Sequence, residues 1–381
     1  MVELSDVKTL NGALVAESSP RPLVGVFFGG TSGIGHMTAR ALASASSSAQ
    51  QQEAGPHIYL VGRSEQRGEE IAKELRGLCP AGTYRFVRAA DLSLMACVDA
   101  VCAEITRLEE QELEPRIDYL MTSQGGAIFQ PRKDTTEGLD ATMAIMYYSR
   151  IRAIQQLMPL LLRSELPAIV VSVFAAGLED EKKLFREDLS LRDLQRYSYI
   201  QARSHLCYMH SMYMSKLAEM HAEGGDDNKQ ALRLVHIFPG LVLTPAFHSP
   251  AYPAWFRFLF NRILAPLILA PFVAVNPVES GERMLCLASQ VLYPAAAAAA
   301  APAASDDDGG SSESRKGGAV RGMDGQPGSG AYSLDWKGDD THNRKAYAKF
   351  NNAGIEALKQ QVWEHTNRAF ETIAAGKLFT E

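Results

Sequence analysis

The residues whose types and spacing most plainly suit chemistry lie near the amino end, at positions 23–35 (LVGVFFGGTSGIG). Leu23, Val24, Val26, Phe27 and Phe28 form a short apolar run between Pro22 and Gly29. That length and those flanks predict a fully buried parallel strand rather than a helix. Gly29, Gly30, Thr31, Ser32, Gly33, Ile34 and Gly35 follow, and a helical pattern opens at Met37, Ala39, Ala41 and Leu42. A strand that turns through glycines into a helix aims unpaired backbone N–H groups at one point, where the helix dipole is also positive. The chemistry this suits is the holding of a diphosphate. Glycine is needed because Cβ atoms would keep a phosphate off the backbone.

Such a turn works only if a sheet holds it still, and the rest of the chain can build one. Its 381 residues are 46% apolar and 22% charged, enough for a large core. Apolar strand-like runs recur at 57–63 (HIYLVGR), 83–89 (TYRFVRA), 117–122 (IDYLMT), 168–173 (AIVVSV) and 232–238 (LRLVHIF), with helical patterns between them. This alternation predicts an α/β fold: a single doubly wound, Rossmann-like parallel sheet with helices on both faces. Residues 1–22 read as an arm and 23–292 as the nucleotide-binding domain, with an aromatic and aliphatic segment at 245–277. Residues 293–330 are low in complexity and are expected to be a disordered insertion. A last edge strand (AYSLDW) and a helix over 343–375 complete the same domain within 331–381. The charged stretch 178–194 reads as a solvated face.

Composition also excludes. A formal net charge of −6 offers no basic footprint, so nucleic acid is not an expected partner. The five cysteines (Cys79, Cys97, Cys102, Cys207, Cys286) are odd in number and show no C-x-x-C spacing. Reduced buried thiols are expected, not a disulfide framework or a metal site. The opening MVELSDVKTLNGAL carries acids and no apolar run, so no secretory signal is expected and the cytoplasm is the simplest compartment.

The glycines are spaced G-x-x-x-G-x-G, and GGTSGIG resembles, residue for residue, the nucleotide loop of the short-chain dehydrogenase/reductase family. A second match, Pro239-Gly240-Leu241-Val242-Leu243-Thr244, resembles the family's P-G-x-V-x-T more than 200 residues later. The resemblance implies a nicotinamide cofactor on Gly29, Thr31, Ser32, Gly33, Ile34 and Gly35. Pro239, Gly240 and Thr244 would lie at the nicotinamide, and Asp91 with Leu92 at the adenine. Asp91 can equally be the N-cap of the helix that follows. Arg63 stands at the tip of strand two, where NAD-selecting enzymes place an acid. A guanidinium there suits the 2′-phosphate of NADP(H). The family's Asn-Asn-Ala-Gly stands as Thr122-Ser123-Gln124-Gly125, which keeps only Gly125. Its helix-kink asparagine falls near Met146, which cannot anchor a relay water.

The resemblance also implies a Ser–Tyr–Lys site. Ser172 occupies the setting of the carbonyl-polarising serine. No Tyr-x-x-x-Lys occurs between Ser172 and Pro239, and three readings stay open. Tyr199 and Arg203 keep the spacing with Arg in place of Lys. Arg203 would hold the cofactor ribose and lower the Tyr199 pKa. Tyr213 and Lys216 lie one residue closer together. In the third reading no competent tyrosine exists, as in a divergent branch common among fungi, and His205 sits on that helix. Residues 245–277 would be a substrate lid, with a membrane-surface helix as rival. Arg257, Arg262, Pro266 and Pro271 argue against a stable membrane span.

The function expected is an NADPH-dependent carbonyl reductase or alcohol dehydrogenase on an apolar or aromatic small molecule, in the setting of secondary metabolism. The alternative is a catalytically degenerate NADP(H)-binding protein that acts as sensor or partner. Homo-oligomers are frequent in the family; the chain carries no interface signal of its own.

Overall fold

The structure, a computed structural model, describes residues 2–17, 21–48, 55–126, 128–222, 232–249, 252–270, 273–295, 319–341, 344–347 and 350–381. In chain order the elements are α1 (Leu4–Glu17), β1 (Val24–Phe28), α2 (Gly33–Ser48), β2 (His57–Gly62), α3 (Glu65–Leu78), β3 (Thr83–Arg88), α4 (Met95–Glu109) and β4 (Tyr119–Thr122). Next comes α5, a helix built from Ala141–Met143, a π-helical turn Ala144–Tyr148 and Ser149–Leu161. Then follow β5 (Ile169–Val173), α6 (Tyr199–Ala222), β6 (Arg233–Ile237), α7 (Ala254–Leu259, continued by the π-helical Phe260–Leu269) and α8 (Pro277–Cys286). The last elements are β7 (Ala331–Leu334), α9 (Arg344–Tyr347) and α10 (Asn352–Ala374).

Seven strands form one parallel, Rossmann-like sheet in the order β3-β2-β1-β4-β5-β6-β7. The chain winds outward from β1 to β3, then returns to the other side of β1 with β4. Ligands in such sheets bind outside the carboxyl ends of the strands where the winding reverses. Register fixes those ends in a row: Phe28 pairs with Val61 and Thr122, Thr122 with Ser172, and Ser172 with His236.

β1 is buried at all five positions, as its unbroken apolar run requires. Its alternate side chains feed two cores. Val24, Val26 and Phe28 join a layer with α4, α5, α6 and α10, and Phe27 joins one with α1, α2, α3 and α8. Short polar caps set where helices begin. Ser64 accepts from the Arg67 amide ahead of α3, and Asn276 accepts from the Val278 amide with Pro277 at the first position of α8.

Parts of the structure depart from the sequence reading. α4 does not take Asp91 as its N-cap. The Glu137 carboxylate, from a distant loop, accepts from the amides of Met95 (2.6 Å) and Ala96 (2.9 Å). The charged stretch 178–194 is not all solvated: Glu179, Leu189, Ser190 and Leu191 are buried, and Arg132 donates to the Ser190 and Leu191 carbonyls. The expectation of disorder over 293–330 fails at its described ends, because Tyr293, Val320 and Met323 are buried and Val320 donates to the Leu292 carbonyl; positions 296–318 lie outside the described residues. The single closing helix is two, α9 and α10. Near the amino end, α1 is a packed helix: Asn11 is buried and donates from Nδ2 to the Glu282 carbonyl and carboxylate on α8.

Candidate active site

The loop between β1 and α2 is the best-defined part of the site. Gly29 (φ +80°) and Gly33 (φ +57°) take the left-handed conformation that strains any other residue. The amides of Gly29 and Gly30 both donate to the Val61 carbonyl (3.1 and 3.2 Å), which ties the loop to the end of β2. Space is as restricted as backbone angle. A Cβ on Gly35 would lie 2.7 Å from both the Gly29 carbonyl oxygen and Ser123 Oγ, and one on Gly33 would lie 3.1 Å from Thr244 Cγ2. The Thr31 side chain covers Gly62, where a Cβ would sit 2.4 Å from its Oγ1. Parts of β1, β2, β4 and the segment after β6 thus converge on one turn. α2 carries no acid in its first turn, so nothing there offsets the positive end of its dipole.

The other expected cofactor residues lie along the same row of strand ends. Arg63 follows β2 directly and is exposed; among the described residues it makes no hydrogen bond or ion pair. Asp91 is exposed after β3, and its Oδ1 accepts from the Ser93 amide (2.9 Å) and Ser93 hydroxyl (2.7 Å). Leu92 is buried. Gly125 is exposed after β4 with open space around it. Pro239 and Gly240 are half-buried after β6, and Gly240 needs its positive φ (+71°) and lack of side chain beside Val275 and Trp336. A dinucleotide is compatible with this set: the glycine turn could take a diphosphate, and the exposed Arg63 guanidinium could take a further phosphate.

In place of the expected asparagines stands a different apparatus. Ser123 donates from Oγ to the Phe28 carbonyl (3.0 Å), joining β4 to β1 just below the loop. Gln124 is buried and donates to Ser149 Oγ (3.1 Å), at the exit of the π-helical turn that contains Met146. The next residue, Arg150, is 2% exposed and has no acidic partner among the described residues. It donates to Ser172 Oγ (3.1 Å), the Val173 carbonyl (2.7 Å) and the Gln124 carbonyl (2.6 Å), and burial pulls its pKa down to about 9. Its guanidinium lies over the Phe174 ring, which stacks on His210; His210 in turn stacks on His236. His236 accepts from the Ala175 amide at Nε2 (3.3 Å), so its proton sits on Nδ1 and faces Ser211 Oγ (3.2 Å). Burial lowers His236 to about 3 and keeps it neutral.

Ser172 therefore does not stand open to a substrate. It is 0% exposed, and its hydroxyl is occupied by Arg150. The carbonyl-polarising contact expected of it gives way to a role in fixing the ends of β4 and β5. Arg150, His210 and His236 were not singled out from the sequence, and Gln124 was named only as a departure from the family's Asn-Asn-Ala-Gly. Arg150 alone left a signal: it falls at Met146 + 4 and Ala153 − 3, on the apolar stripe of α5.

α6 begins at Tyr199, and the three tyrosine readings separate there. Tyr199 packs edge-on against Phe129 (5.1 Å) and lines a groove of about 650 Å³ with Phe129, Arg132, Leu194, Tyr197 and Ile200. Burial pushes its phenol above the ordinary range, and Arg203 pulls it down by less, so the lowered pKa expected from Arg203 is reversed in sign. Arg203 lies one turn on, half-buried, with Nε unpaired among the described residues. Tyr213 is on the wrong side of α6: fully buried, it accepts from Gln155 Nε2 and stacks on Trp363 of α10 (4.7 Å). His205 accepts from the Phe185 amide (2.9 Å), and burial lowers its pKa to about 4; it pins the 184–189 loop rather than facing a groove.

A second groove, about 360 Å³, lies beside Thr244 and is lined by Leu243, Pro245, Phe247, Phe260 and Asn261. Tyr252 links the two regions by accepting from the Ile128 amide (2.9 Å). Among the described residues no cluster of His, Cys, Asp or Glu could hold a metal ion, and no helix is long and apolar enough to cross a membrane.

The short chain dehydrogenase family model matches residues 24–182. Oxidoreductase AN1596 of Emericella nidulans is 35% identical over 366 residues, covering 96% of this chain and 97% of that one. Short-chain dehydrogenase/reductase SAT2 of Stachybotrys chartarum is 30% identical and covers 97% and 98%. Among solved structures, the Pseudomonas aeruginosa RhlG/NADP active-site complex is 20% identical over 70% of this chain and 89% of that one, with a TM-score of 0.47. The chain belongs to the short-chain dehydrogenase/reductase family of oxidoreductases.

Proposed function

We propose that the protein binds NADPH and reduces the carbonyl of an apolar or aromatic small molecule, of the kind secondary metabolism produces. The observation that carries this is the glycine turn at the head of α2, sterically closed to Cβ atoms and flanked by the exposed Arg63. Gly29 to Gly35 hold the diphosphate, and Arg63 holds the 2′-phosphate by paired hydrogen bonds. Asp91 and Leu92 flank the adenine. Gly125, Pro239, Gly240 and Thr244 wall the nicotinamide, and Arg203 meets the adjoining ribose. Bound NADPH supplies a hydride to the substrate carbon.

Tyr199 supplies the proton. A phenol whose pKa is raised by burial is fully protonated at neutral pH, which suits an acid in the reductive direction. Arg203 keeps a positive charge one turn away, where it offsets the alkoxide that forms. Arg150, through Ser172 and Gln124, ties together the carboxyl ends of β4 and β5. The apolar rim of Phe129, Leu194 and Ile200 favours an apolar substrate.

The burial of Ser172 and the upward shift of Tyr199 favour a second reading, an NADPH-binding protein without hydride transfer. Calorimetric titration with NADPH and NADH, followed by NADPH oxidation across a ketone panel, separates the two. Tight NADPH binding with turnover supports the reductase. NADPH binding with no turnover supports the second reading, and absence of binding defeats both.

A further inference from the structure

We propose that the outer face of α7 and its π-helical continuation docks on an anionic lipid surface. The inner face of this helix is fixed by aromatic stacking: Phe256 on Phe260 (5.5 Å) and Phe260 on Phe247 (4.5 Å). The outer face is apolar as well. Trp255 is 68% exposed, Phe258 66% and Leu267 65%, and Leu259, Ile263 and Ile268 are exposed with them. These residues recur at steps of three and four, so they share one side. A helix apolar on both sides and lying at a surface is not at home in water.

Charge says what covers it. Residues 245–278 contain no Asp or Glu but do contain Arg257, Arg262 and His248, in a chain whose net charge is −6. Arg262 is exposed among the apolar side chains. Apolar residues with interspersed arginines and no acid suit a helix lying in the plane of an anionic headgroup layer. It does not span, because Arg257 and Arg262 interrupt the apolar run and the helix is too short. A second copy fits less well: a two-fold contact through this face would set like charges against each other with no acid to pair them. The docked face lies beside the groove at Thr244, which would open toward the lipid. The inference stands whether or not the reductase reading does.

The test is flotation of the full chain with phosphatidylcholine vesicles, with and without phosphatidylserine as about one third of the lipid. Flotation with the anionic vesicles only is expected. Arg262→Gln should lower that partition about fivefold, the equivalent of one surface charge. Phe258→Ser combined with Leu267→Ser should abolish it; both positions are exposed, so an unchanged thermal melt checks that the fold is intact. No flotation, equal flotation with neutral vesicles, or flotation untouched by these variants overturns the proposal. A dimer in lipid-free buffer that the double serine variant dissociates, without flotation of the parent, overturns it in favour of a second copy.

Discussion

Adding one methyl group at Gly35 tests the site at its base. The new Cβ would stand 2.7 Å from the Gly29 carbonyl oxygen and 2.7 Å from Ser123 Oγ. Ordinary contact begins at about 3.4 Å, so the loop must move away from α2 by roughly 0.7 Å. Ser123 can rotate only by giving up its bond to the Phe28 carbonyl, and the Gly29 carbonyl is backbone of the turn itself, so moving it moves the turn. Overpacking of this kind costs about 2 kcal/mol. Spread over the unfolding entropy of a chain of 381 residues, that is a loss of about 2–3 °C in Tm. The loop amides move by the same distance relative to a bound diphosphate, and NADPH affinity should fall by tenfold or more, about 1.4 kcal/mol. Gly77→Ala, on α3 and outside the site, is the control: nothing lies within 4 Å of its Cβ, so NADPH affinity should not change and Tm should not fall. Differential scanning fluorimetry and calorimetric titration read both. If Gly35→Ala binds NADPH as the parent does, the diphosphate is not held at this turn, and the cofactor assignment fails.

Three further predictions follow from the same geometry. Arg63→Ala should weaken NADPH by about 30-fold, the worth of roughly 2 kcal/mol of charge-assisted bonding, and leave NADH unchanged in parallel titrations. Tyr199→Phe should abolish carbonyl reduction while NADPH binding persists, and the parent rate should fall only as pH rises into or above the ordinary tyrosine range, because burial raises this phenol. Acid should destabilise the fold early. His205, His236 and His365 are buried with pKa values lowered to about 4, 3 and 4, so the unfolded chain binds their protons first, from about pH 6.5 downward. Stability from these groups is complete above pH 6.5 and drains at up to three protons, about 4 kcal/mol per pH unit near pH 5. Urea melts between pH 7 and 4.5 that show a flat profile would refute this.

What could be read in the sequence was what local chemistry encodes. The glycine turn, the strand-helix alternation and the P-G-x-V-x-T segment depend on neighbours a few residues away. Tyr199 could be placed at the head of its helix for the same reason. The rest depends on partners far along the chain. Nothing near Asp91 announces that Glu137 will cap α4, and nothing near Tyr213 announces Gln155 and Trp363. The net pKa of Tyr199 hinged on burial, which spacing does not report; the charge of Arg203 was legible and the desolvation that outweighs it was not. The buried Arg150 was the largest omission, since a cation on an apolar stripe reads at first as an interruption of the helix.

The π-helical turn in α5 acts as a phase shifter. Its amide at Ser149 reaches back five residues to the Ala144 carbonyl, so the helix carries one more residue in that turn than an ordinary one would. Each residue is worth about 100° of rotation. Before the turn's exit, Tyr147 and Tyr148 meet Thr366 and His365 on α10; just after it, Arg150 swings under the strand ends. Removing a single residue from 144–148 would rotate one of these faces out of mesh with its partner, leaving either the tyrosines or the guanidinium aimed at nothing it can bond.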